Sequence, residues 1–436
     1  TNTLPKDIAD SHLSGELHIS NLGLWSLIPD TIFLNLKELI DEGIDLKGKS
    51  PGVTRISTPK TLEDLEKLLP MMFNLLSKES SQEIVIDDLT AVLTKFSKNV
   101  SEVEKMLTNV FTISSTSTSL DKSPTVLSFR IPLSSDKKLI NAVISSYNNY
   151  VKFTPKPKIG LIIDYEKGKV SEHSDILTKT ILLGGNVIFS KGSSSTNAIK
   201  NINTTSQPSI QLGSLSINLP RLALESSKDE TYFRARLVLL MKPAIAAMAT
   251  RKKDVSDLIR RGVNPIIAEK TQFMQKNNSS LVLNLIGLKE AVYSILGHKD
   301  DKEGKEILNK VLQTAVDVAH KKGQELGIDV SISMVDSTEL ARFVTLDSEK
   351  YGKNSIMDVT DGDLYSQGLE LDPSEIVKMT AKTDIISEYN KISKILDGGL
   401  LVKLPFKSKT KDIEIKKALE KASSLISSFK PIIQAN

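Results

Sequence analysis

Apolar residues recur along this chain with two periods, and the helical one is the more frequent. Leu65, Leu68, Leu69, Met72 and Leu76 share one face of a helix predicted over Leu62–Leu76, with Thr61 as its N-cap and Asp64 in a loose capping-box position. Pro70 lies inside that run, and its missing N–H and fixed φ predict a kink or a split. The same recurrence predicts a helix over Ile28–Glu42 from Ile32, Leu36, Leu39 and Ile40. Further helices are expected over Ile86–Phe96, Val103–Val110, Lys137–Tyr147, Tyr232–Arg251, Gly287–Leu296 and Lys305–Leu326. A C-terminal helix is expected over about 411–429, where Ile415, Leu419, Ala422, Ile426 and Phe429 belong to a mostly one-sided stripe. Short apolar runs predict strands over Thr125–Ile131, Ile159–Asp164 and Ile181–Phe189. Helices interspersed with short strands over this length predict an α/β fold around a closed or large mixed sheet.

Between these elements, Thr1–Ser14 reads as a polar N-terminal arm and Thr112–Ser119 as a loop. Lys191–Gln207 is a long polar stretch containing Ser193, Ser194, Ser195 and Thr196. At 39% hydrophobic and 25% charged residues, with a net charge of +4, the 436-residue composition is that of a soluble globular protein. No apolar run reaches the roughly 18 residues of a membrane helix, and no secretory leader opens the chain, so a cytoplasmic location is expected and no membrane partner. With 0 cysteines there is no disulfide, thiolate nucleophile or iron–sulfur ligation in this sequence. The 5 histidines show neither HExxH nor HxH spacing, no phosphate-loop or GxGxxG pattern occurs, and neither a metal nor a cofactor is expected. Asp361–Asp363 reads as a polar turn rather than a cation loop. Among three basic clusters, Lys403, Lys407, Lys409 and Lys411 form the best candidate surface for an acidic partner such as RNA or a ribosome, although a solvated face is the simpler reading.

Several segments, in order, resemble the anaerobic, glycyl-radical ribonucleotide reductases. Gly15–Leu22 (GELHISNL) is similar to the family's G-[DE]-I-H-I-H-D-L, with Ser20 for the second His and Asn21 for the Asp. Leu212–Ala223 (LGSLSINLPRLA) resembles G-x-V-x-I-N-L-P-R and keeps Asn218, the family's active-site Asn. Asn284–Gly297 resembles N-x-I-G-L-x-E, Asp336–Gly352 the stretch ending in A-x-R-F and Y-G, and Asp397–Gly399 the N-G-G turn.

The resemblance implies a ten-stranded glycyl-radical-type α/β barrel surrounded by helices, as one domain over 15–436, with a remnant finger loop in about 191–207. It also implies departures. Thr31 stands where the family carries an active-site cysteine, and the finger-loop cysteine position falls among Ser193–Thr196. The zinc site, the glycyl-radical loop and an N-terminal ATP cone are not expected. Trp25 and Phe33, close to Thr31, are expected to fill the old pocket. Three readings follow. The first is a catalytically inactive, self-associating scaffold, as a homodimer or larger homo-oligomer. The second is a regulator that binds a nucleoside triphosphate with Asn218, Ser20 and Asn21 as candidate contacts. The third is a reductase subunit whose thiols come from another chain.

Overall fold

The computed structural model describes residues 4–45, 55–96, 99–154, 156–166, 168–192, 210–271, 279–297, 302–337, 340–360 and 364–434. Most of the stretch assigned to the finger loop, and the turn at Asp361–Asp363, lie outside the described residues. In chain order the strands are β1 (Leu17–Ile19), β2 (Thr31–Asn35), β3 (Ile44–Asp45), β4 (Arg55–Ile56), β5 (Glu83–Asp87), β6 (Val126–Pro132) and β7 (Ile159–Asp164). Then come β8 (Asn186–Ser190), β9 (Ile210–Asn218), β10 (Ser279–Ile286), β11 (Val330–Ser333), β12 (Leu369–Glu370), β13 (Val402–Lys407) and β14 (Ser428–Gln434).

Ten of them close into a barrel built from two parallel halves. In the first half β2, β5, β6, β7 and β8 are parallel neighbours in that order. In the second half β9, β10 and β11 are parallel on one side and β13 and β14 on the other. The halves meet at two antiparallel seams, β2 with β9 at Thr31↔Gln211 and β8 with β14 at Phe429↔Phe189. Ring closure between β11 and β13 rests on one parallel bridge, Met334↔Leu400, with Met334 N donating to Gly399 O at 3.0 Å and Leu401 N to Met334 O at 2.8 Å. β1 adds antiparallel to β9, and β12 lies parallel on β13. The expected ten-stranded barrel is therefore observed.

Side-chain alternation along each strand sorts the two faces. Ile84 and Ile86, Phe129 and Ile131, Leu161 and Ile163, and Leu283 and Leu285 pack outward with the helices into the main core. Each such side chain contributes about 1.5–3 kcal/mol by leaving water. The residues between them face the lumen. In the first half Val85, Ile162 and Ile188 form a separate cluster there, with Phe33 against it.

Helix Leu62–Leu76 has the predicted bounds, with Thr61 Oγ1 accepting from Asp64 N and the Asp64 carboxylate accepting from Thr61 N. It runs on through Pro70 without splitting. Several boundaries differ from the sequence reading. The N-terminal arm holds a helix, Lys6–Ser14, anchored by buried Ile8. Ile28–Glu42 divides into β2 and the helix Leu36–Glu42, because Asn35 caps the helix and ends the β-favouring run Thr31–Ile32–Phe33. Ile86–Phe96 divides likewise into β5 and Leu89–Phe96, and Val103–Val110 lengthens to Val100–Ser114, into the expected loop. Ile181–Phe189 is the end of helix Ser174–Leu182, a Gly184–Gly185 turn, and β8. The C-terminal helix ends at Leu425, and its last apolar residues belong to β14, where Phe429 stacks on Phe189 at 4.7 Å.

Close approach fixes Gly213 and Gly287, among other glycines. A Cβ on Gly213 would lie 2.9 Å from Cζ of Arg251, whose buried guanidinium lies 4.1 Å from the Trp25 ring and donates to Asp30 and to Ile28 O. Trp25 thus packs in the outer core against Arg251. Gly287, at φ 71°, opens helix Leu288–Leu296 with no room for a side chain against Pro220.

Candidate functional site

β9 is the rail along which the sequence-derived candidates are laid out. Thr31 faces its start, only 2% exposed, and its Oγ1 donates to Gln211 Oε1 at 3.2 Å. Farther along, β1 runs antiparallel with Ile19 opposite Leu215, so Ser20 and Asn21 follow beside the middle of β9. Ser20 is buried, and Asn21 takes a left-handed backbone with Nδ2 donating to Ser81 O at 3.2 Å. Asn218 closes the strand, three residues past Leu215, roughly 10 Å along an extended chain. Ser20 and Asn21 therefore do not share one spot with Asn218.

Asn218 is the centre of a buried polar network. It caps helix Leu219–Glu225, its Oδ1 accepting from Arg221 N at 3.4 Å. Its Nδ2 donates to Gly15 O at 3.0 Å and to Asp347 Oδ2 at 2.9 Å. Asp347 also accepts from Arg221 Nε at 2.5 Å and from Tyr365 OH at 2.7 Å. Arg221 and Asp347 are 2% and 0% exposed, so the pair holds only because each lone pair and N–H it uses has a partner. Burial, reinforced by the Asp347 charge, pushes the Tyr365 phenol well above its ordinary range. The network ties together the segment at Gly15, the end of β9, helix Leu340–Tyr351 and the irregular segment at Tyr365. Arg221, Asp347 and Tyr365 were not singled out from sequence, although Arg221 and Asp347 lie inside segments that carry the resemblance.

The second-half lumen holds further polar groups beside a small apolar cluster of Val282, Val335 and Leu401. Asn284 Oδ1 accepts from Ser333 Oγ at 3.1 Å and Val335 N at 2.9 Å, and its Nδ2 donates to Val335 O. Lys403 and Lys430, opposite each other on β13 and β14, share Asp336 at 2.8 and 3.3 Å. Lys403 is thus an ion-paired, largely buried group rather than a surface charge, whereas Lys407, Lys409 and Lys411 are exposed. In the first half Arg130 Nε donates to Asp87 Oδ1 at 2.8 Å, yet burial outweighs that cation and holds the Asp87 carboxyl above its usual range.

Beyond the Met334↔Leu400 bridge the wall between β11 and β13 opens into a cleft of about 1180 Å³. Tyr365–Glu370 cross it as a strap. Gln367 fixes the strap through Ser337 N and Lys403 Nζ, and Ser366 through Glu290, which accepts from its N at 2.9 Å and Oγ at 2.7 Å. Burial holds the Glu290 carboxyl above its ordinary range despite those bonds. Lys403 and Lys407 line this cleft, and Tyr365 joins it to the Asn218 network. Among the described residues no group of three or more His, Asp or Glu is arranged to hold a metal, and no helix is long and apolar enough to cross a membrane.

Two five-stranded parallel halves joined by antiparallel seams, with a polar network at the end of β9, define a protein of the glycyl-radical-enzyme barrel class. The family model for anaerobic ribonucleoside-triphosphate reductase matches residues 181–427, more than half of the chain, and this chain belongs to that family. The anaerobic ribonucleoside-triphosphate reductase of Haemophilus influenzae is 29% identical over 193 residues, 41% of this chain and 27% of that protein. The chain thus matches about a quarter of that relative's length. In structure it is similar to the anaerobic ribonucleotide reductase of Thermotoga maritima with dATP bound in the specificity site. That likeness has a TM-score of 0.69 and 16% identity, and covers 98% of this chain and 79% of that one. It is also similar to the B12-independent glycerol dehydratase of Clostridium butyricum, with TM-score 0.57 and 9% identity over 87% of this chain and 62% of that one. At these identities the structural likenesses speak for the fold.

Proposed function

We propose that this chain is a reductase-family barrel that does not itself reduce ribonucleotides and acts as a self-associating scaffold or interaction protein. The observation that carries this reading is Thr31, buried and bonded to Gln211 where the resemblance puts a cysteine. A hydroxyl holds its hydrogen far more strongly than a thiol does, and each additional 1.4 kcal/mol of barrel-site activation energy slows a step about tenfold. Phe33, two residues on, packs with Val85, Ile162 and Ile188 in the lumen, which supports a space given over to packing. Tyr232 and Leu239, two turns apart on helix Glu230–Arg260 and 50% and 61% exposed, supply an apolar stripe for self-association.

Light scattering and thermal unfolding against a panel of ribo- and deoxyribonucleoside triphosphates test the proposal together. The expected result is a dimer or larger particle whose midpoint ignores every nucleotide. A monomer at micromolar concentration would remove the self-association, and deoxyribonucleotide formation would remove the inactivity. The second reading is the nucleotide-binding regulator, for which Asn218, kept within the long segment Leu212–Ala223 that carries the resemblance, is the supporting residue. A ligand at 100 times its dissociation constant adds about 2.7 kcal/mol, so a nucleotide-selective rise would favour it. Exposed Lys407, Lys409 and Lys411 leave an RNA contact to be tested by the salt dependence of binding.

A further inference from the structure

We propose that the cleft beside β12 receives an extended polypeptide segment of a partner, which adds a strand to the outer edge of β12. This deepens the scaffold reading by naming the kind of partner. β12 is the last strand of the sheet path, and Leu369 N and Leu371 N donate to Leu401 O at 2.8 Å and Lys403 O at 3.0 Å. In a parallel ladder successive residues turn their N–H and C=O to opposite sides, so Glu370 presents both away from β13, on the side of the cleft it lines. Past Leu371 the ladder meets Pro405, which has no N–H to continue it, and among the described residues no strand pairs with the last part of β13 on that side.

The surroundings of this open edge suit a peptide. Leu364 and Val377, on either side of β12 in the chain, line the cleft and are 48% and 36% exposed, and Val292, Leu308 and Phe406 supply an apolar floor. Five lysines and five carboxylates line the cleft. That balance offers no net attraction to the several negative charges of a nucleoside triphosphate, and it complements a chain carrying both signs. The volume of about 1180 Å³ also exceeds the roughly 300–1,000 Å³ of most small-molecule sites. Main-chain pairing at an edge with apolar pockets for alternate side chains is how sheet edges take up extended peptides.

The probe is a peptide enriched from a random phage-displayed library on the folded protein, with counter-selection on an unrelated folded protein, and titrated by fluorescence polarisation. The expected outcome is micromolar binding, weakened at least tenfold by Glu370→Pro and by Val377→Asp, with slowed hydrogen exchange at the Glu370 amide. Should Glu370→Pro lower the melting midpoint, Val377→Asp carries the same comparison. No enrichment, equal binding to both variants, protection confined to other segments, or protection of the Glu370 amide by ATP would each overturn the proposal. Oligomeric state is read on the same samples. A dimer that takes no peptide sinks the cleft alone, and a monomer that takes it sinks only the self-association.

Discussion

In the first half of the barrel the lumen-facing apolar residues Phe33, Val85, Ile162 and Ile188 meet one another beside the Arg130–Asp87 pair, whereas in the second half Ser216, Asn218, Asn284 and Ser333 meet hydrogen-bonding partners beside the smaller cluster of Val282, Val335 and Leu401. What a substitution costs differs between these two sets of residues. Apolar packing loses contacts roughly in proportion to the volume removed, and neighbours can relax into the gap. A buried polar network has no such latitude, since each group removed strands another. The family match, residues 181–427, covers β8 of the first half and β9, β10, β11 and β13 of the second, and leaves out β2, β5, β6, β7 and β14.

Asp347→Ala is the severest test of that contrast. It leaves the Arg221 guanidinium, the Asn218 amide and the Tyr365 hydroxyl without their shared acceptor, and a loss of about 3–5 kcal/mol is expected by denaturant unfolding. A loss below about 1 kcal/mol would mean that the network is decoration. Ile162→Ala in the other half removes only lumen packing and should cost about 2–4 kcal/mol. Hydrogen exchange should report the first loss across Gly15, helix Leu219–Glu225 and Tyr365, and the second around β5, β7 and β8 alone.

The same contrast explains what the sequence made legible. Leu62–Leu76 carries its own start signal at Thr61 and a one-sided stripe, so both its bounds are readable locally. Barrel strands buried on both faces give short apolar runs that periodicity cannot tell from helix, which is why β2 and β5 were absorbed into helices and β8 was joined to the helix before it. β14 was hidden because Ile426 and Phe429 continue the stripe of helix Asp412–Leu425 across the turn. At the site, Asn218 was readable because it sits in a long motif. Asp347 and Tyr365 were not, since a partner 129 residues away leaves no local pattern.

Glu79 joins the two regions and makes the comparison pH-dependent. Ahead of β5, its buried carboxylate accepts from Ile266 N at 3.0 Å and Ile267 N at 2.8 Å, in the segment between β9 and β10. Burial outweighs those bonds and pushes the group up from 4.5 to about 7. The folded state then holds a proton that the unfolded chain has released, so stability falls as pH rises from about 4.5 to 7 and the penalty is complete above 7. Glu79→Gln has no charge to desolvate. Its stability relative to the parent should become about 2–3 kcal/mol more favourable between pH 5 and pH 8, measured by urea unfolding at both. A pH-independent difference would show that the carboxylate is solvated in the native state.

The smallest effect separates the two lysines that share Asp336. Cross-strand like charges repel, so Lys403 and Lys430 coexist because one carboxylate lies between them, closer to Lys403 at 2.8 Å than to Lys430 at 3.3 Å. Lys430→Met relieves the repulsion and leaves the shorter ion pair intact, so its net cost should be within about 0.5 kcal/mol. Lys403→Met breaks the shorter pair and also frees Gln367 Oε1, whose other partner is Ser337 N. A loss of about 1 kcal/mol is expected, accompanied by faster proteolysis of the strap at Tyr365–Glu370. Equal costs for the two substitutions, with the strap unchanged, would show that the second-half lumen tolerates charge loss as easily as the first half tolerates a lost methyl group.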